Sequence, residues 1–495
     1  MTYTDHTTEE IEILLLDSVK AFRAYGKMPL KKRAEFMRAI AREIEALGDI
    51  LLQTAAEETN LTEPRLRNER GRTIFQLISY AEACERGDWL EIKIDTGLPE
   101  RNPPRQDIRK MLVPIGPVAV FGASNFPFAY STAGGDTACA FAAGCSVIVK
   151  AHPAHAQTSE LVASAVLKAA KDTNMPDGIF AHVYGAGTEV GEALVKHPLV
   201  KAVGFTGSLA GGRQLFDWAS QRKEPIPVFA EMSSINPVFL LPEKLKQSAD
   251  EIARLYASSI TLGVGQFCTN PGLLLGIESE GLDTFVAALG EEIRQTSPGN
   301  MLHMGIFKNY VERRANALSQ EEVTTVAVAE GDLQLNQGAP TIATVSGEAF
   351  LNNPVLHMEV FGPYSLVVRC KDLTEMTQIA NHIEGQLTAT LMATEADISY
   401  HEELVDAIRS ICGRFILNSV PTGVEVCQSM HHGGPYPATT DSRFTSVGAD
   451  GIKRFARPVA YQNWSNDQLP QELKNENTLG IWRTVNDKLS KDPIK

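Results

Sequence analysis

Lys110-Met-Leu-Val-Pro-Ile-Gly-Pro-Val-Ala-Val-Phe-Gly-Ala-Ser-Asn125 is the stretch that decides the fold. Its apolar, partly β-branched run over 111–121 predicts a strand, and the cluster from Gly122 to Asn125 predicts the turn that ends it. Toward the C-terminus the pattern repeats. Helices are expected at 134–143, 158–171, 189–197 and 211–219, and strands at 145–150, 179–184, 202–206, 227–231 and 238–241. Units of this kind predict a parallel sheet covered on both faces. A second α/β block follows residue 268, with helices near 283–294, 307–319, 374–384 and 399–411 and a strand from Gln386. Toward the N-terminus the period is helical. Ile11, Leu14, Leu15, Val19 and Phe22 share one face, and Phe36, Ile40, Ile44 and Leu47 another after the Met28-Pro29 break. A further helix is expected over 65–86, then a proline-rich loop over 96–104. The alternating run 453–461 reads as an edge strand that pairs across subunits. The polar tail beyond Tyr461 reads as wrapping a neighbour or staying mobile.

With 495 residues the chain is too long for one compact core, so two or three domains are expected. A net charge of −14 argues against a nucleic-acid or anionic-membrane surface. No run approaches the roughly 18 apolar residues of a membrane span, and a secretory signal is not expected at the N-terminus. The 7 cysteines are scattered without a Cys-x-x-Cys pair. That fits free thiols in a reducing cytoplasm, and neither a disulfide framework nor a zinc site.

Gly263-Val-Gly-Gln-Phe-Cys-Thr-Asn-Pro-Gly272 puts Cys268 in a glycine-flanked turn between a helix end and a strand. A thiol presented there is available as a nucleophile, but an ordinary pKa of about 8.5 leaves it protonated at neutral pH. Taken alone, a cysteine in a large protein is more often a small buried hydrophobe. Glu231, at the end of an apolar run, is a candidate base. Asn125 either donates to a developing oxyanion beside the Cys268 backbone N–H or simply forms its turn. Phe205-Thr-Gly-Ser-Leu-Ala-Gly-Gly212 ends a strand and opens a helix whose free amides suit a pyrophosphate. A plain β-α turn reads the same, and no well-placed Gly-x-Gly-x-x-Gly is present. Lys150 stands at a strand end where open α/β sheets bind ligands, as a phosphate or ribose contact or as a solvated lysine. Glu359 is a ribose acceptor or a surface charge. His431-His432 invites a metal, but no second paired site accompanies it, so none is expected.

Read in chain order, Ser124-Asn-Phe-Pro127, Val149-Lys150, Phe205-Thr-Gly-Ser208, Glu231, Gly265-Gln-Phe-Cys268 and Glu359-Val-Phe-Gly-Pro363 resemble the NAD(P)-dependent aldehyde dehydrogenase superfamily. The resemblance covers residues 8–462. Residues 150–155 and 421–441 resemble a subgroup containing α-ketoglutaric semialdehyde dehydrogenases and an NADP-dependent fatty aldehyde dehydrogenase. The resemblance implies an α/β fold: a Rossmann-type cofactor domain, an α/β catalytic domain and a small oligomerisation arm. Residues 1–235 would bind the cofactor, with arm strands near 100–113. Residues 236–430 would be catalytic, and 431–495 would return to the cofactor domain with an oligomerisation strand and the tail. A homodimer or homotetramer is implied, with no nucleic-acid or membrane partner.

The same resemblance implies that Cys268 attacks an aldehyde, Asn125 and the Cys268 amide hold the oxyanion, and Glu231 activates water to release the acid. Lys150, His152, Pro153, Gly207, Ser208 and Gly212 would contact the cofactor, joined by Met232, Glu359 and Phe361. Phe126, Tyr130, Phe267 and His432 would contact the substrate. Family members commonly have Glu-Leu-Gly-Gly where this chain has Glu231-Met-Ser-Ser234, so Ser233 and Ser234 are expected to alter how the nicotinamide is held. NAD-preferring members carry a glutamate where Pro153 stands. With no carboxylate there, and with His152 and His155 able to carry partial positive charge, NADP is expected, with NAD possible. The expected substrate is α-ketoglutaric semialdehyde, and the alternative a medium- or long-chain fatty aldehyde. The arginine for a remote substrate carboxylate has no evident place in the sequence.

Overall fold

The computed structural model describes residues 3–494. Four helices come first: α1 (Thr8–Tyr25), α2 (Leu30–Ala46), α3 (Gly48–Thr59) and α4 (Glu63–Arg86). Thr7 and Glu10 form a reciprocal cap that starts α1. The periodicity did not announce α3, because no side chain caps its start and only Leu47 separates it from α2. Two strands follow, β1 (Lys93–Asp95) and β2 (Ile108–Pro114), with loop over 96–107.

The run expected as one strand over 111–121 is two strands in different sheets, β2 and β3 (Val118–Phe121). Pro114 and Pro117 have no amide to donate to a ladder, and Gly116 between them has φ of 140°. From β3 onward the β-α alternation is as expected. The elements are α5 (Gly135–Ala143), β4 (Val147–Lys150), α6 (Ala156–Asp172), β5 (Phe180–Val183), α7 (Glu189–Lys196), β6 (Ala202–Thr206), α8 (Leu209–Ser220) and β7 (Val228–Glu231). The five strands are parallel in the order β5-β4-β3-β6-β7. The chain therefore reverses its direction of travel between β3 and β6. Open α/β sheets bind ligands at the carboxyl ends of strands flanking such a switch. Here those ends carry Gly122 to Asn125 and Gly207-Ser208.

A second layer begins with β8 (Val238–Leu240), α9 (Pro242–Thr261), β9 (Leu273–Ile277), α10 (Glu280–Arg294), β10 (Gly299–Asn300) and α11 (Met304–Leu318). It continues through β11 (Thr324–Val328), β12 (Gln337–Gly338), β13 (Thr341–Ser346), α12 (Gly347–Asn352), β14 (Tyr364–Cys370) and α13 (Leu373–His382). It closes with β15 (Gln386–Met392), α14 (Glu395–Tyr400), α15 (Glu402–Ile411) and β16 (Cys412–Leu417). The helix expected over 399–411 is thus two pieces, parted at His401. Seven strands form one sheet, β11-β13-β14-β9-β8-β15-β16, parallel except for the β11 edge.

The third sheet is built from distant pieces: β17 (Ala456–Gln462), β2, β1, β18 (Arg483–Val485) and β19 (Lys488–Ser490), in that order. The run 453–461 forms an edge strand, Ala456 to Gln462 lying antiparallel to β2 within the chain and leaving its outer edge open. The tail does not hang free: β18 pairs in parallel with β1. Leu469, Leu473 and Ile481 are buried, and the buried Arg483 donates to the carbonyls of Lys474, Asn475 and Asp492. Its polar composition concealed a few apolar anchors. Among the described residues no helix is long and apolar enough to cross a membrane.

Candidate active site

The turn that presents Cys268 is set by its backbone. After α9 the chain passes through Gly263, Val264 and Gly265 with φ of 54°, 58° and 65°. A β-branched residue held left-handed stores strain, and such strain clusters at functional sites. Gly265 has no substitute: a Cβ there would lie 2.3 Å from the carbonyl of Gly362. The close approach brings the 359–362 segment against the turn. Gln266 is buried and accepts the Leu302 amide on its Oε1 at 3.0 Å. Asn236 donates from Nδ2 to the carbonyls of Cys268 and Asn270, both at 2.9 Å. These bonds hold the cysteine's backbone still.

Glu231 ends β7, at the carboxyl edge of the first sheet. The segment near 439 pairs with it: Glu231 bridges Thr439, Thr440 N donates to Ala230 O, and Met232 N to Ala438 O. That pairing brings His432 to Glu231. His432 Nε2 is 3.1 Å from Glu231 Oε1 and 3.5 Å from Cys268 Sγ. The three reactive atoms all lie within 4.8 Å of one another. Ser446 Oγ donates to the other carboxylate oxygen at 2.7 Å. Burial resists ionisation of Glu231, yet His432 and the hydrogen bonds of His432, Ser446 and Cys268 prevail and hold it down at about 2. Burial, joined by the charge of Glu231, pushes the Cys268 thiol well above its ordinary value. In the free protein the carboxylate is ionised and the thiol keeps its proton. His432, expected among substrate contacts, therefore lies between nucleophile and carboxylate.

Asn125 is buried and donates from Nδ2 to the carbonyl of Gln266 at 3.1 Å, two residues before the cysteine. One of its N–H groups is thus engaged. Phe126 packs edge-on against Tyr130 and Phe267, with centroids 5.2 and 5.4 Å apart. α4 adds Arg65 and Arg72 to this wall, two helical turns apart and so on one face. The Arg65 guanidinium lies 5.0 Å from the centroids of Phe126 and Phe267, and it donates to the Asn125 carbonyl at 2.8 Å. Arg72 donates to the Tyr130 hydroxyl at 3.3 Å. The sequence reading passed over both, because arginines on a charged helix look like a solvated face. Asn236 and Ser446 left no local signal either; they act through residues far away in sequence.

Ser208 caps α8, its Oγ accepting from Gly211 N at 3.2 Å, and both Gly207 and Ser208 are exposed at that helix end. Gly212 sits against Met232; a Cβ on it would come within 2.6 Å of that side chain. Lys150 is half-buried at the end of β4, its pKa lowered by burial against the pull of Asp5. An open helix end and a neighbouring ammonium are what the phosphates and ribose of a dinucleotide need, so these residues fit NAD(P). Glu359 and Phe361 line a crevice with Ser234, Gly265 and Phe267. Burial raises the Glu359 carboxyl to about 7, against the hydrogen bond from Ser233 Oγ at 2.8 Å.

One expectation about the cofactor side is corrected. His152 and His155 stack at 5.3 Å, and burial lowers the pKa of both. The pair stays neutral, so it supplies no positive charge for a 2′-phosphate. His152 instead caps the turn at Pro153 by accepting Ala154 N. Of the two serines, Ser233 meets Glu359, whereas Ser234 is buried within 2.9 Å of Asn236 Oδ1 and 3.0 Å of Gln386 Oε1. Ser234 lines the crevice and also ties it to the start of β15.

Comparison with known proteins agrees with this geometry. Residues 1–455 match the model of the aldehyde dehydrogenase family. An α-ketoglutaric semialdehyde dehydrogenase 2 from Azospirillum brasilense is 48% identical over 464 residues, 94% of this chain and 88% of the relative. An α-ketoglutaric semialdehyde dehydrogenase from Acinetobacter baylyi is 45% identical over 492 residues, 99% of this chain and 93% of the relative. Among solved structures, a betaine aldehyde dehydrogenase from Staphylococcus aureus in complex with NAD+ superposes with a TM-score of 0.79 at 19% identity, covering 95% of this chain and 91% of that one. A 1-pyrroline-5-carboxylate dehydrogenase superposes with a TM-score of 0.78 at 21% identity, covering 93% and 86%. At such identity the structures speak for the fold alone.

Proposed function

Because this chain belongs to the aldehyde dehydrogenase family and is an NAD(P)-dependent oxidoreductase, we propose that it oxidises α-ketoglutaric semialdehyde (2,5-dioxopentanoate) to 2-oxoglutarate through a cysteine thioester. The observation that carries the chemistry is the contact chain Cys268–His432–Glu231 at 3.5 and 3.1 Å. What supports the substrate is the identity of 45–48% to two dehydrogenases of that aldehyde over nearly the whole chain.

In this reading the Cys268 thiol passes its proton to the His432–Glu231 pair as sulfur bonds to the aldehyde carbon. The developing oxyanion is held by the Asn125 amide and the Cys268 backbone N–H. Bound NAD(P) would supply the hydride acceptor, so that loss of the C–H hydride would leave Cys268 as a thioester. Once the His432–Glu231 pair has released that first proton, Glu231 takes a proton from water; the hydroxide adds to the thioester carbon, the C–S bond breaks to free the acid, and the Cys268 sulfur recovers a proton from the pair. Lys150, Ser208 and Glu359 position the cofactor. NADP is the preferred form, supported by Pro153 standing where a carboxylate would repel the 2′-phosphate. The free thiols support a reducing compartment, the cytoplasm. The open edge of β17 supports a homo-oligomer.

Formation of reduced nicotinamide with 2,5-dioxopentanoate and with alkanals, using each cofactor, tests the reading. A kcat/KM clearly highest for 2,5-dioxopentanoate with NADP is expected. Fast alkanal oxidation with 2,5-dioxopentanoate idle would overturn the substrate.

A further inference from the structure

We infer that Arg72 and Arg414 form a carboxylate-binding subsite beside the wall of Phe126, Tyr130 and Phe267, which selects aldehydes carrying an anionic group at their other end. The inference rests on the α-ketoglutaric semialdehyde reading and supplies the cation that reading needs. Arg72 comes from α4 and Arg414 from β16, yet one loop fastens both. Arg72 donates to the carbonyl of Val424, and Arg414 to those of Gly423, at 3.0 Å, and Pro421. Arg72 also donates to the Tyr130 hydroxyl. Tyr130 packs on Phe126, and Phe126 on Phe267, the residue before the nucleophile.

Every partner of these two guanidiniums is neutral. Among the described residues no carboxylate lies within 4.0 Å of either. The acid nearest in sequence on α4, Glu69, feels the charges of Arg65 and Arg72 but bonds neither: its Oε1 accepts the amides of Phe128 and Ala129 at 2.8 and 3.1 Å, and its Oε2 lies 4.0 Å from Arg65. Arg414 is part-buried, and its Nε is enclosed without a partner. Its charge acts on both Cys268 and Tyr130. Desolvating a guanidinium is costly unless an anion meets it, and no protein carboxylate forms an ion pair with either of these. A planar guanidinium matches a carboxylate with two parallel hydrogen bonds. In 2,5-dioxopentanoate the carboxylate carbon stands four bonds from the aldehyde carbon, about 5 Å when extended. Tyr130, which Arg72 contacts, lies within reach of the charge of Cys268, so the subsite is on that scale.

The test compares 2,5-dioxopentanoate with pentanal, which lacks the carboxylate, on the wild-type enzyme and on Arg72→Met and Arg414→Met. Each variant should raise KM for 2,5-dioxopentanoate roughly 10- to 100-fold, the scale of a lost charge-assisted hydrogen bond, and change KM for pentanal far less. Arg414→Lys should recover part of the loss. Equal changes for both aldehydes, or none, would overturn the subsite while leaving the substrate reading intact. A wild-type enzyme idle on 2,5-dioxopentanoate would instead overturn the reading itself. Should the variants fail to fold, inhibition of the wild-type enzyme decides: pentanoate should compete with the substrate much more strongly than pentanamide, and equal inhibition overturns the subsite.

Discussion

At the scale of single residues, Cys268 and Glu231 control each other's protonation. Glu231 raises the pKa of the thiol, so removing its charge should lower it. Alkylation of Cys268 in the free enzyme is expected to quicken only as pH climbs past the usual thiol range. In Glu231→Gln that rise should shift to lower pH, giving faster alkylation at pH 7; an unchanged profile would show that the carboxylate does not act on the sulfur. His432→Asn removes the group joining the two and should lower kcat about 10²- to 10⁴-fold, the scale of lost acid–base catalysis, with little change in cofactor affinity. Glu359 gives a stability signature. Its folded pKa is raised to about 7, so the protonated form is favoured in the fold. The stability it contributes is full below its ordinary value near 4.5, and is lost as pH rises through 7. Melting curves of wild type and Glu359→Gln should therefore diverge between pH 5 and 8, in favour of the glutamine variant at the alkaline end. Cys268, Glu231, Asn125 and Glu359 were legible because their motifs are local. His432 was expected at the substrate, but its contact with Glu231 was not legible, since it spans 201 positions of chain.

At the scale of elements, the left-handed turn over 263–265 does more than aim a cysteine. It docks the 359–362 segment, and so joins Cys268 to the crevice lined by Glu359 and Phe361. Gly265→Ala would push a methyl into the Gly362 carbonyl. It is expected to cost about 1–3 kcal/mol, as overpacking does, and to weaken cofactor binding with it; denaturant unfolding and a cofactor titration check both. The β-α alternation was readable strand by strand because each unit carries its own hydrophobic period. What escaped was pairing. Nothing in the 111–121 run says that its two halves serve different sheets, except the prolines and Gly116 that part them. Nothing in α4 says that Arg65 and Arg72 face an aromatic wall, because the partners lie on other elements.

At the scale of the whole molecule, the site belongs to no single sheet. Glu231 ends the first sheet, Cys268 sits between α9 and β9 of the second layer, and His432 lies on the segment that returns to β7. Catalysis therefore depends on how the layers stack. The third sheet ties the chain's tail to β1 and β2. Removal of residues 463–495 should expose the sites that bury Leu469, Leu473 and Ile481, each worth roughly 1.5–3 kcal/mol; a fall in melting temperature is expected, and an unchanged one would show the tail to be dispensable. The central claim is that Cys268 is acylated by 2,5-dioxopentanoate and freed by Glu231. Mass spectrometry of Glu231→Gln after mixing with 2,5-dioxopentanoate and NADP tests it most directly. A 2-oxoglutaryl adduct on Cys268 is expected, accompanied by one equivalent of reduced cofactor per site. Reduced cofactor without any adduct on Cys268 would contradict the account.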